Sequence, residues 1–332
     1  MGFDERDVYV GTGPMTPPVR FEPRRTRQPR LWLHALLFVL TLGSAMLAQL
    51  LPLAQPGSVG ELVDAIAARP DLLVRALAFA GPLLTILLAH ELGHYVTAQH
   101  HGVDQSLPFF IPAPTTFGTL GAVILMHGQP ANRRVLLDVA VMGPFAGLVV
   151  ALPMTAWGLA HSTPISAADL GGAEHVVYGS SLLFAFFAEL WSPNGTDVLL
   201  HPVALAGWVG LFVTSLNLIP AAQLDGGHVA YALAPRQHRL VTRAVTVLLF
   251  VIGVVVTFAP WLGEGRFKGS VWIAWALVLA LFAPRHPPVR DEAMPLGPRE
   301  LVLGWLATLV FLLTFVPAPV QLIPASLAHG AP

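Results

Sequence analysis

An all-α polytopic membrane protein of about seven transmembrane helices, with a small re-entrant β-hairpin near the active site, is the architecture this sequence predicts. Three observations carry it. The 332 residues are 55% hydrophobic and only 11% charged, and their mean hydropathy is +0.66, far from a soluble domain in which about a quarter of residues are charged. Apolar runs long enough to cross a bilayer recur along the chain. Lys and Arg alternate with those runs: segments 1–30, 99–134, 235–243 and 285–299 hold six, two, three and three of them, while the intervening loops hold Arg69, Arg266 and Lys268, and Arg75 sits at a helix end. The positive-inside rule then places the N-terminus in the cytoplasm and, with seven spans, the C-terminus outside.

Composition also excludes classes. A formal net charge of −1 gives no basis for a nucleic-acid partner. The chain has no cysteine, which removes disulfides, thiolate ligands and thiol nucleophiles and leaves His, Asp and Glu to hold any metal.

Taken in order, residues 1–30 are polar and rich in proline and arginine, and read as a disordered cytoplasmic arm. They make no signal peptide, because the first apolar run starts only at Leu31 and exceeds a typical signal core. A membrane domain over 31–316 follows, with spans near 31–53, 72–98, 135–160, 201–222, 241–260, 270–284 and 301–316, and then a tail over 317–332.

The second span ends in His90-Glu91-Leu92-Gly93-His94. An ionisable residue at bilayer depth costs roughly 2.5–3.5 kcal/mol on insertion scales, so this trio needs a partner. On a helix, His90 and His94 share a face and can reach one Zn²⁺, with Glu91 beside it as general base. Between spans two and three, prolines at 108, 112 and 114 and glycines at 118 and 121 oppose a helix and fit a strand pair. Irregular backbone at this depth must pack on protein or a wet cavity, which puts the hairpin close to the polar site.

Asp138 opens the third span beside Arg133 and Arg134 and reads as a helix-end or supporting hydrogen-bond partner. Loop 161–200 contains four acids and no Lys or Arg, and its apolar piece 181–190 is too short to span and suits the interface. The fourth span carries the second polar intrusion, Asn217-Leu218-Ile219-Pro220-Ala221-Ala222-Gln223-Leu224-Asp225-Gly226-Gly227-His228. Pro220 removes a donor and Gly226-Gly227 loosen the chain, so the helix breaks and Asp225 turns inward. Two His and one carboxylate complete a catalytic zinc set with an open fourth position. Spans two and four run the same way, so both motifs reach similar depth. His228 stays open between supporting, substrate-facing and interfacial roles, and the remaining histidines read as solvated or interfacial.

These residues resemble the site-2 protease family of intramembrane zinc metalloproteases, peptidase family M50. The resemblance covers roughly 72–240: the His90-to-His94 motif, the Phe117-to-Ala122 segment, Asp138 with Gly143-Pro144, and Asn217 to His228. Leu107 to Pro114 and Gln223 to His228 look most like the branch without a PDZ domain, which includes bacterial and chloroplast members, and loop 161–200 is too short for such an insertion. Ala222-Gln223 departs from the prolines common before Leu-Asp-Gly and touches no inferred ligand.

The resemblance implies one zinc per chain held by His90, His94 and Asp225, with Glu91 as base. It also implies that Asn217 binds substrate or steadies the tetrahedral intermediate, and that the hairpin from Gly118 to Gly121 pairs with unwound substrate. The implied function is regulated intramembrane proteolysis of a single-span membrane protein, such as a tethered transcriptional regulator, in a bacterial inner (cell) membrane. The rival from another class is a metal-ion transporter or channel using the same His/Asp cluster. Against it, the acids converge on two motifs and Glu91 occupies the base position of HExxH.

Overall fold

The computed structural model describes residues 30–165, 175–192, 197–259, 269–282 and 286–323. The arm expected over 1–30 lies outside the described residues except for Arg30, as do residues 324–332 of the tail.

Among the described residues, four helices are long and apolar enough to cross a membrane: α1 (Leu31–Ala54), α3 (Asp71–His100), α4 (Arg133–Ala160) and α8 (His238–Phe258). The short helix α2 (Val59–Ala68) lies between the first two, and α5 (Leu182–Trp191) coincides with the apolar piece expected at the interface. Helices α6 (Pro202–Asn217), α9 (Ser270–Phe282) and α10 (Pro298–Thr314) stand where three further spans were expected. Each falls short of the roughly 20 residues that a hydrocarbon core requires, so among the described residues four of the seven expected spans have a helix of spanning length.

For α6 the cause is local. It stops at Asn217, the chain turns through 218–224 around Pro220, and α7 (Asp225–Leu233) begins. The predicted break is present, but its glycines act differently from the expectation. Gly226 and Gly227 are helical and pressed against the turn: a Cβ on Gly226 would meet Leu218 O at 2.0 Å, and one on Gly227 would meet Ala221 O at 2.4 Å. They permit close approach rather than loosen the chain.

Helix α4 is central, with 61% of its apolar window buried against 17% for α1. It packs on α3, α6, α7 and α10. Leu83, Leu84 and Ile86 of α3 meet Ala151 of α4 and Trp208 and Leu211 of α6 in one core, while Leu137 and Val141 join α4 to Val229 and Tyr231 of α7 in a second.

The expected hairpin forms as β1 (Phe109–Pro112) and β2 (Thr119–Val123), antiparallel with Phe110 opposite Ala122. It runs along α1: His34 Nδ1 donates to Pro108 O at 2.9 Å, and Ser44 Oγ donates to Ala113 O at 3.3 Å. Ten helical residues separate the two anchors, a rise of about 15 Å, half of a hydrocarbon core about 30 Å thick. At the turn, Gly118 has φ +74° and its Cα touches α1, where a Cβ would lie 2.4 Å from Ala45 Cα. Only glycine combines that backbone with that contact.

Two further sheets have no counterpart in the sequence reading. β3 (Thr163–Pro164) pairs with β5 (Val198–Leu199), and β4 (His175–Tyr178) pairs with β6 (Val320–Ile323), which belongs to the expected tail. α2 was also missed, although Ser58-Val59-Gly60-Glu61 signals it. Ser58 Oγ accepts from Glu61 N at 3.2 Å, as an N-cap does, and Glu61 Oε2 reaches back to accept from Gly57 N, one residue before the cap, at 2.8 Å.

Candidate metal centre

Helix α3 supplies two of the three donors. Four residues apart on one face, His90 and His94 hold their ring centroids 4.9 Å apart. His90 and Glu91 are buried, at 4% and 6% exposure. The third donor, Asp225, is the first residue of α7, delivered by the turn that ends α6.

His90 Nε2, His94 Nε2 and Asp225 Oδ2 form a near-equilateral triangle with sides of 3.1, 3.2 and 3.2 Å. Donors on a tetrahedral zinc at about 2.0–2.1 Å sit roughly 3.3 Å apart. The triangle therefore has the size of one face of such a tetrahedron. Among the described residues, this is the group of three His or acidic side chains that can converge on a metal ion.

The donor chemistry agrees. His94 Nδ1 lies 2.8 Å from Val139 O, and a carbonyl can only accept, so in the neutral ring Nδ1 holds the proton and Nε2 presents a lone pair to the triangle. The Val139 carbonyl thus orients the ring as a partner beyond the ligands commonly does in zinc sites. Gly143 makes room for it: a Cβ there would fall 2.1 Å from His94 Nε2. Two imidazole nitrogens and a carboxylate oxygen at contact distance leave a concentration of lone pairs that a cation satisfies.

The centre opens into a cavity of about 640 Å³, whose walls include His90, Glu91, His94, Asn217, Asp225 and the stretch from Ala122 to Pro130. Asn217, the last residue of α6, holds its amide Nδ2 3.2 Å from His90 Nε2. Gly118 and Gly121 are not on these walls. Gly118 is packed on α1, and the part of the hairpin that reaches the cavity is the end of β2 and the residues after it. Among the described residues, β2 pairs with one strand, β1.

Several wall and support residues escaped the sequence reading. Gln105 donates to His94 O at 3.1 Å, and no local pattern marks it. Of the histidines expected to be solvated or interfacial, His286 lines the cavity and His238 is buried at 4% exposure. His101 and Arg299 both bind Asp138 Oδ2, at 3.2 and 3.0 Å, so Asp138 fastens α4 to the ends of α3 and α10 and lies outside the donor triangle.

Comparison with known proteins follows the same residues. The sequence model of Peptidase family M50 matches residues 78–260, a stretch that holds all three donors. The probable zinc metalloprotease EGY1, chloroplastic, of Arabidopsis thaliana is 30% identical over 313 residues, 89% of this chain and 55% of the relative. The EGY1 counterpart of Oryza sativa subsp. japonica is 29% identical over 249 residues, 73% of this chain and 41% of the relative. The probable zinc metalloprotease EGY2, chloroplastic, of Arabidopsis thaliana is 30% identical over 247 residues, 72% of this chain and 42% of the relative. The chain spans about half the length of the relatives it matches.

Proposed function

The chain belongs to peptidase family M50, and from that premise we propose that it is an intramembrane zinc metalloendopeptidase that hydrolyses peptide bonds in or near transmembrane segments of membrane-tethered proteins. The observation that carries the reading is the donor triangle of His90, His94 and Asp225 with Glu91 on the wall of the same cavity.

Zinc bound by these three side chains supplies Lewis acidity toward the scissile carbonyl and makes water a nucleophile at neutral pH. Glu91 takes the proton from the attacking water and returns it to the leaving amine. Asn217 directs its amide to the carbonyl oxygen as negative charge develops there. A substrate helix must unwind to expose its carbonyls, because its own hydrogen bonds shield them. The stretch from Ala122 onward offers backbone groups to the unwound strand, which would add to the hairpin by strand augmentation.

Seven crossings remain our reading of the topology, with α6, α9 and α10 completing three of them alongside the turns that flank them. Two long-range pairings support it. β4 lies in loop 161–200, and its partner β6 follows α10. Both ends must therefore face the same side, as they do with an even number of crossings between them. Asp291 N likewise donates to Ala131 O at 2.9 Å, joining two segments that the Lys and Arg distribution places in the cytoplasm. With four apolar helices of spanning length among its described residues the chain is a membrane protein; its relatives are chloroplastic and lend nothing to the expected bacterial inner membrane. A single-span regulator released by cleavage is the partner class that the reading implies.

The transporter reading requires a path of charged groups, and among the described residues one three-donor cluster is present. The test is cleavage of a model single-span substrate by detergent-purified protein. Cleavage that a zinc chelator abolishes and added zinc restores is the expected result, whereas zinc flux into vesicles without cleavage would overturn the proposal.

A further inference from the structure

His228 closes the second motif three residues after Asp225, and the mechanism above gives it no task. On α7 it lines the cavity and is partly exposed there. Its Nδ1 lies 2.7 Å from Nε2 of His286, a residue of the segment that follows α9. His286 Nδ1 in turn lies 2.7 Å from Pro287 O, and its ring stacks on Tyr231 with centroids 3.9 Å apart and planes 10° from parallel.

Proton accounting along this chain leaves one neutral arrangement. Pro287 O can only accept, so His286 Nδ1 carries the proton and His286 Nε2 is a lone pair. His228 Nδ1 must then donate to it, which leaves His228 Nε2 as a bare acceptor. Desolvation by burial, ahead of the opposing pull of the Pro287 carbonyl, holds the His286 imidazole down to about 4, so this ring is neutral at physiological pH. His228 Nε2 has no hydrogen-bond partner among the described residues, and the ring borders the open cavity.

An unwound peptide brings the complementary need. Each residue pulled out of a helix exposes a backbone N–H that costs free energy unless it finds an acceptor. Strand addition along the hairpin satisfies alternate groups on one side only. The geometry points to His228 as a substrate-contacting residue whose Nε2 accepts a hydrogen bond from a backbone N–H of the unwound peptide, and to His286 as the positioning residue that fixes that tautomer.

The segment bearing His286, which lines the cavity from His286 to Val289, is itself pinned. Gln129 Nε2 donates to Pro288 O at 3.1 Å, Arg290 N donates to Pro130 O at 3.2 Å, and Tyr231 Oη donates to Glu292 Oε1. Docking of this segment therefore sets the acceptor on α7.

The inference rests on the proteolytic reading, and its test separates the two. In the full-length zinc-loaded protein, His286→Phe keeps the stacking ring and removes the acceptor, whereas His286→Gln removes the ring and keeps an acceptor oxygen for His228 Nδ1. His228→Phe, His286→Phe and His286→Gln are compared with wild type for zinc content and for kcat/KM on a model single-span substrate. Expected are unchanged zinc, a loss of roughly 10-fold to 100-fold in kcat/KM for both Phe variants, and His286→Gln within about threefold of wild type, the size of half a hydrogen bond. A His286→Phe variant as active as wild type, loss of zinc from either Phe variant, or rescue by Phe but not Gln would overturn it. Nitrogen NMR of histidine-labelled protein decides the matter without cleavage. The Nδ1–H form of His228, lost in His286→Phe, is expected, and an Nε2–H form in wild type would overturn the inference.

Discussion

At the residue scale, the metal centre depends on side chains that are not ligands. A Cβ on Gly143 would fall 2.1 Å from His94 Nε2, and the Val139 carbonyl holds the other ring nitrogen at 2.8 Å. Gly143→Ala must therefore push the imidazole out of the triangle. Zinc affinity is expected to fall by roughly 10-fold to 100-fold, the usual effect of disturbing a partner beyond the ligands, with helical content unchanged. Competitive chelator titration measures the first and circular dichroism the second. The donor cluster itself was legible because an i, i+4 pair of histidines and one inward aspartate are anomalies in an apolar run. The supports were not, since Val139 is 45 residues from His94 in the chain and looks like any other apolar helix residue.

At the element scale, what delivers Asp225 is the turn between α6 and α7. Its compactness depends on Gly226, whose missing side chain lets Leu218 O approach to 2.0 Å of the Cβ position. Gly226→Ala shifts the start of α7 and with it the third ligand. Purified variant protein is expected to hold less than a tenth of the zinc per chain at limiting metal, a loss of about 1.4 kcal/mol or more of binding free energy. Elemental analysis after gel filtration provides the measurement. The hairpin behaves separately because it carries no ligand. Gly118→Ala places a non-glycine residue in the left-handed region, at a cost of roughly 1–2 kcal/mol before the contact with Ala45 is counted. Lower thermal stability in detergent with unchanged zinc content is the expected result. Both irregular elements were visible as clusters of Pro and Gly inside apolar sequence. The pairing of β4 with β6 was not: 175–178 and 320–323 meet through tertiary structure, and four-residue strands have no local signature that would connect them. α6 was overextended to 222 because apolarity continues through Leu218, Ile219, Ala221 and Ala222 beyond the point where Pro220 and the turn end the helix.

For the whole molecule, orientation links the fold to the chemistry. The cavity walls include residues from the 99–134 and 285–299 segments, which the Lys and Arg distribution assigns to the cytoplasm, and the same distribution assigns α2 and the β4–β6 sheet to the other face. The natural absence of cysteine makes this directly measurable. In oriented membranes, an impermeant maleimide added outside is expected to label Glu61→Cys and Ala318→Cys and to leave Asp104→Cys unlabelled until the membrane is opened. Equal labelling of all three would contradict the seven-crossing topology. Charge bias is the basis of the expected orientation, and α9 and α10 stay close to the short apolar runs expected over 270–284 and 301–316. The central claim joins these scales: a zinc held by His90, His94 and Asp225 is put to use by Glu91. Its most direct test pairs zinc content with cleavage in Glu91→Gln. The account predicts one zinc per chain, as in wild type, and cleavage of the single-span substrate slowed by roughly 10²–10⁴-fold, the usual contribution of a general base. Wild-type cleavage by a zinc-loaded Glu91→Gln protein would contradict it.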